Sequence, residues 1–111
     1  MGVSISIEAR GETTIVHVDG DLDIYTAPRL KETLDQALGA GSRLVLDLSG
    51  VQFVDSTALG VLVGALQVSQ ANEGDFRLVA GNPFVLKIFR ITGFEEMFSI
   101  YPQLEDAISA N

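Results

Sequence analysis

Val3, Ile5 and Ile7 alternate with Ser4, Ser6 and Glu8, and after Arg10-Gly11-Glu12 the alternation resumes with Thr14, Val16 and Val18. A period of two is the mark of strands, so residues 3–8 and 13–19 are predicted strands joined by a hairpin turn. The period then lengthens. Thr26-Ala27-Pro28 suits a helix start, and Leu30, Leu34, Ala37 and Leu38 recur at spacings of three and four, which predicts an amphipathic helix over 27–38. Gly39-Ala40-Gly41 closes it as a C-cap, since a phosphate-binding glycine loop would follow a strand and open a helix.

The run from Arg43 to Leu48 is apolar on both faces, as in a central strand covered on both sides, with Asp47 near its end. A long apolar helix follows, carrying Leu59, Leu62, Val63 and Leu66 on one stripe and Val61, Ala65 and Val68 on another. Gly60 and Gly64 lie one turn apart on it, and close approach of the helix to the sheet is the expected compensation for their low helix propensity. Residues 76–80 read as the next strand. Asn82-Pro83 then opens a helix that Gly93 ends, Ser99-Ile100-Tyr101 is a short strand, and Pro102 opens a last helix with Leu104, Ala107 and Ile108 on its apolar face. Strands alternating with helices after an opening hairpin predict an α/β sandwich, its mixed sheet of four to five strands covered by about four helices.

Composition narrows the function. At 111 residues the chain reads as a single domain spanning 1–111. Without cysteine it has no disulfide framework, thiolate metal site or thiol chemistry, which accords with a reducing cytoplasm. The N-terminus lacks a basic segment and a long apolar core and is expected to be retained. The longest apolar stretch, 58–66, falls far short of the roughly 20 residues of a membrane span, so a soluble protein is expected. A formal net charge of −8, with seven Lys and Arg, argues against nucleic acid and anionic membranes as partners.

The candidate chemistry centres on Asp55-Ser56-Thr57, a polar step between a strand and an apolar helix. Ser56 there reads either as a helix N-cap or as a group placed where free backbone N–H donors and the helix dipole favour a phosphate. A hydrolase serine is disfavoured, because Val54 and Ala58 occupy the glycine positions of a nucleophile elbow. His17, the only histidine, has no second His or Cys to complete a metal site and is expected to face solvent. Asp21, Asp23, Asp47 and Asp55 raise a minor alternative, a receiver-like domain with Asp47 as phosphoacceptor, which lacks a lysine at a strand end.

Three stretches then carry a family likeness. Asp47-Leu48-Ser49-Gly50-Val51 followed by Phe53-Val54-Asp55-Ser56-Thr57-Ala58-Leu59-Gly60 resembles the signature of the STAS domain of bacterial anti-sigma-factor antagonists. Gly20-Asp21-Leu22-Asp23 with Thr26-Ala27-Pro28, and Ile91-Thr92-Gly93-Phe94, resemble two further family stretches in the same order, so the match spans nearly the whole chain. The departures are Asp21 where Glu is common and Ala58 where Gly is common.

The resemblance implies a non-enzymatic STAS-like sandwich that acts by binding and needs no cofactor. Its unphosphorylated form would bind an anti-sigma factor that is also a serine kinase using ATP and magnesium, freeing the sigma factor. Phosphorylation of Ser56 would switch it off and a PP2C-type phosphatase would reset it. Partner contacts are implied at Asp21, Asp23, Asp55, Ser56, Thr57 and Gly60. The alternative within the family is a STAS module serving as a fixed scaffold or transporter accessory.

Overall fold

A computed structural model of the chain describes residues 2–39 and 41–110. The elements are β1 (Val3–Arg10), β2 (Thr13–Leu22), α1 (Ala27–Ala37), β3 (Arg43–Val54), α2 (Ser56–Ala71), β4 (Asp75–Val79), α3 (Pro83–Thr92), a 3-10 turn (Phe94–Glu96), β5 (Ser99–Tyr101) and α4 (Leu104–Ser109). The five strands form one sheet in the order β1-β2-β3-β4-β5. The β1–β2 pair is antiparallel and the other three pairs are parallel. The predicted mixed sheet with four helices is therefore the observed architecture.

The helices divide unevenly between the faces. Val16, Val18, Leu22, Leu44, Leu46 and Leu78 pack with Leu30 and Leu34 of α1, Leu59 and Leu62 of α2, and Val85 and Phe89 of α3 in the larger core. On the opposite face Ile15, Val45 and Val79 form a smaller core with Ala107, Leu104 and Ile108 of α4. Burial on both faces explains why β3 reads as a continuous apolar run instead of an alternating one. α4 is short, so it covers only part of its face; beyond it the sheet presents the polar positions Ser4, Ser6, His17, Asp19, Asp47 and Ser49 around a shallow pocket. Arg77 fixes α4, its buried guanidinium donating to the carbonyls of Ala107 and Ala110 and to the Asp75 carboxylate.

Several boundaries depart from the sequence reading. β3 continues through Ser49-Gly50 to Val54, and Asp47 lies within it, not near its end. The extension is paid for by long-range pairing: β2 shifts register at His17/Asp19 and again at Gly20/Asp21, so Asp19 pairs with Gly50 and Leu22 with Val54. α1 ends on an extended C-cap at Leu38, one residue before the glycine-rich triplet predicted as its cap. Ala40 of that triplet lies outside the described residues. Gly93, by contrast, is the expected cap of α3, its φ of +80° being the left-handed conformation that glycine adopts without a Cβ clash.

Gly60 and Gly64 do not bring α2 close to the sheet. A Cβ at either position would meet nothing within 4 Å, because both face a groove of about 600 Å3 between α1 and α2, lined also by Leu34, Thr57 and Val68. Ile7, grouped by period with Val3 and Ile5, reaches past the core at the sheet edge and is 56% exposed.

Candidate functional site

The C-terminal ends of β2 and β3 lie side by side, so the chain leaves both strands at one place, into the loop before α1 and into the start of α2. Asp55 joins these two exits. Its Oδ1 accepts from the Ala58 amide at 3.0 Å, which makes Asp55 the N-cap of α2. Its Oδ2 accepts from the Ile24 amide at 2.9 Å, and its own amide donates to Leu22 O at 3.0 Å. One half-buried carboxylate thus caps a helix and latches the neighbouring loop to it.

The capping role weighed for Ser56 therefore belongs to Asp55. Ser56 is the first residue of α2 and is exposed, as are Thr57 and Gly60. At the first turn of a helix the leading amides have no partner one turn earlier, and the dipole leaves partial positive charge there. Among the described residues the Ser56 hydroxyl has no hydrogen-bond partner and does not cap the helix, which leaves it beside that field.

Asp23 organises the other arm. Its Oδ1 accepts from the amides of Tyr25 and Thr26 at 2.9 and 3.0 Å, closing a tight turn, while Thr26 Oγ1 accepts from the Asp23 amide at 2.9 Å and donates to Asp21 O at 2.9 Å. Thr26 precedes α1 as expected but makes no side-chain cap bond, since its hydroxyl is spent inside this turn. The turn lifts Ile24 and Tyr25 outward, 58% and 89% exposed. Asp21 sits exposed at the end of β2, in register with Phe53.

The structure thus gathers Asp21, Asp23, Asp55, Ser56 and Thr57 at one end of the sheet, with Gly60 a turn further along α2. It also adds Phe53 and Phe84, which periodicity did not mark. Phe53 and Phe84 are 51% and 75% exposed, and with Lys87, Ile88 and Ile91 they border an apolar groove of about 510 Å3 between the end of β3 and α3. A clue was available in the sequence, since Phe53 sits next to Val54 and the two cannot share one face of a strand.

Asp47 belongs elsewhere. Its Oδ1 accepts from the Ser49 hydroxyl at 2.6 Å and the Ser49 amide at 3.0 Å, and its Oδ2 pairs with His17 Nδ1 at 2.9 Å. Burial opposes its ionisation, but these bonds prevail and hold its pKa below the ordinary carboxylate value. This placement within β3 removes the strand-end geometry a receiver-like phosphoacceptor requires. His17 itself is corrected from solvent-facing to half-buried, with its Nε2 2.8 Å from Glu8 Oε1. Among the described residues no group of His, Cys, Asp and Glu is arranged to hold a metal ion. None of the described helices is long and apolar enough to cross a membrane.

Comparison with known proteins gives the family. Residues 4–107 match the STAS domain family. An anti-sigma-B factor antagonist of Listeria monocytogenes is 35% identical over 102 residues, covering 90% of each chain. That of Bacillus subtilis is 28% identical over 108 residues, covering 97% of this chain and 99% of the relative. The crystal structure of an anti-sigma factor antagonist from Mycobacterium paratuberculosis superposes with a TM-score of 0.90 at 30% identity, covering 98% of this chain and 93% of that one. With its signature step at the junction of β3 and α2 and near full-length likeness to these proteins, the chain belongs to the STAS domain family, which includes anti-sigma-factor antagonists.

Proposed function

We propose that this protein is an anti-sigma-factor antagonist whose unphosphorylated form binds an anti-sigma factor with serine kinase activity and thereby frees a sigma factor. Phosphorylation at Ser56 ends the interaction, and a PP2C-type phosphatase restores it. The observation that carries the reading is the division of labour at the start of α2. Asp55 caps the helix, so the exposed Ser56 hydroxyl can accept a phosphate without the helix losing its cap.

The docking face is built from Asp21, Asp23, Ser56, Thr57 and Gly60, with Ile24, Tyr25 and Phe53 supplying exposed apolar area. Asp55 serves that face from within by fixing the loop that carries Tyr25. Clustered exposed apolar side chains rimmed by polar ones are the usual composition of an interaction surface.

A phosphate on Ser56 adds about −1.5 to −2 charges at a helix N-terminus, a position the fold tolerates. The partner surface, packed against Asp21 and Asp23 as well, would then face an uncompensated dianion. Such a mismatch costs several kcal/mol, or about a hundredfold in affinity or more.

Calorimetric titration of the cognate anti-sigma kinase tests this. Ser56→Ala is expected to bind like the unphosphorylated protein, and Ser56→Asp to fold normally yet bind about a hundredfold more weakly. Equal affinities of the two variants would refute the switch. Incubation with kinase, ATP and magnesium, followed by mass mapping, should place one phosphate on Ser56; no incorporation would favour a fixed scaffold instead.

A further inference from the structure

Away from the Ser56 end, three neighbouring strands are joined by one side chain. His17 of β2 lies opposite Asp47 of β3 in the parallel register and opposite Ser6 of β1 in the antiparallel one, which makes Glu8 its diagonal neighbour on β1. Its ring uses both nitrogens, Nδ1 at 2.9 Å from Asp47 Oδ2 and Nε2 at 2.8 Å from Glu8 Oε1. A neutral imidazole carries a single N–H, and an ionised carboxylate only accepts. Both bonds therefore exist together only when the ring is an imidazolium.

Both carboxylates are kept ionised by other donors. The second oxygen of Asp47 takes the Ser49 hydroxyl and amide, and the second oxygen of Glu8 takes Arg10 Nε and Nη2 at 3.0 and 2.8 Å. The surrounding charges are Asp19 on β2, bordering the same pocket, and Glu105 of α4, which reaches the cluster through Arg10 at 3.1 Å. Burial works against the charge on His17, but Glu8 foremost, and then Asp47, raise its pKa.

The mechanical setting gives the bond a purpose. β1 is the edge of the sheet, it pairs with β2 alone among the described residues, and its Ile7 is largely exposed. We propose that Glu8, His17 and Asp47 form a proton-dependent clasp that fastens the edge strand β1 to β3 across β2, and that loss of the His17 proton loosens β1. A deprotonated ring can donate to one carboxylate only, and the other contact becomes an unbridged approach of acceptor to acceptor. Because the folded-state pKa is raised, the contribution is complete below the unfolded histidine value of about 6.5 and disappears as pH rises through the folded value. The clasp opens on the alkaline side.

Hydrogen exchange of the β1 amides, corrected for intrinsic base catalysis and followed by NMR from pH 6 to pH 9, tests the clasp on the full chain. Exposed ion pairs contribute little and hydrogen bonds between charged groups somewhat more; for this half-buried pair of bonds, opening of β1 should increase about fivefold over the range in the wild type. In His17→Gln the opening should be fast at pH 6 already and flat with pH, while the β4 amides stay unchanged in both. Glu8→Gln, which keeps shape and removes one carboxylate, should shift the transition to lower pH. Ring-nitrogen shifts showing a neutral His17 at pH 6, or the same pH dependence in His17→Gln as in the wild type, would overturn the proposal.

Discussion

Replacing Asp55 separates the two functions of its carboxylate. In Asp55→Ala the α2 N-terminus loses the bond to the Ala58 amide, and loss of an N-cap costs about 1 kcal/mol, in a range of about 0.5–2. The second bond, to the Ile24 amide, lies at an exposed position where water can take over, so it adds only about a few tenths of a kcal/mol. The sum, about 1–2 kcal/mol, corresponds to a fall in melting temperature of about 4–8 °C for a chain of this size and a urea midpoint lower by about 0.5–1 M.

Asp55→Asn discriminates between the two bonds. Asparagine caps helices as well as aspartate does, so its carbonyl oxygen can stay on Ala58, but its amide nitrogen cannot accept from Ile24. Its stability should lie within about 0.5 kcal/mol of the wild type. The loop carrying Tyr25 should nonetheless be released, visible as faster hydrogen exchange at the Ile24 amide. Equilibrium urea unfolding with an unchanged slope is the primary assay. An alanine variant as stable as the wild type would refute the capping assignment. An asparagine variant as unstable as alanine would refute the division between cap and latch.

Two further substitutions probe the scaffold. Gly64→Ala should stabilise the protein by about 0.5–1 kcal/mol in the same urea assay, because glycine in a helix interior is costly and an added Cβ here meets nothing; a loss would mean that α2 packs more closely than the groove beside it indicates. Arg77→Met keeps the aliphatic stem but removes the donors to Asp75, Ala107 and Ala110, and should cost on the order of 2–3 kcal/mol and expose α4 to limited proteolysis, whereas an intact, protected α4 would count against the clamp.

Most of the elements were legible from residue order because their causes are local. Period two over β1 and β2, the Asn82-Pro83 start of α3 and its Gly93 stop each depend on neighbours within a few positions. The Asp55-Ser56-Thr57 step was legible for the same reason, as was its likeness to the STAS signature. The dividing line appears wherever a side chain's partner is remote in sequence. Ser49-Gly50 resembled a strand end until pairing with the bulged end of β2 extended β3 to Val54.

Local spacing also could not decide which of Asp55 and Ser56 caps α2, since either residue type serves; the backbone geometry at the β3 exit and the Ile24 amide, 31 positions earlier, select Asp55. His17 was expected to face solvent, but its environment depends on Glu8 and Asp47 arriving from two other strands. Sequence periodicity specifies which faces are apolar and where elements begin and stop. Strand register and helix packing then determine which polar groups meet, because hydrogen bonds act over about 3 Å and the groups that make them lie on different elements.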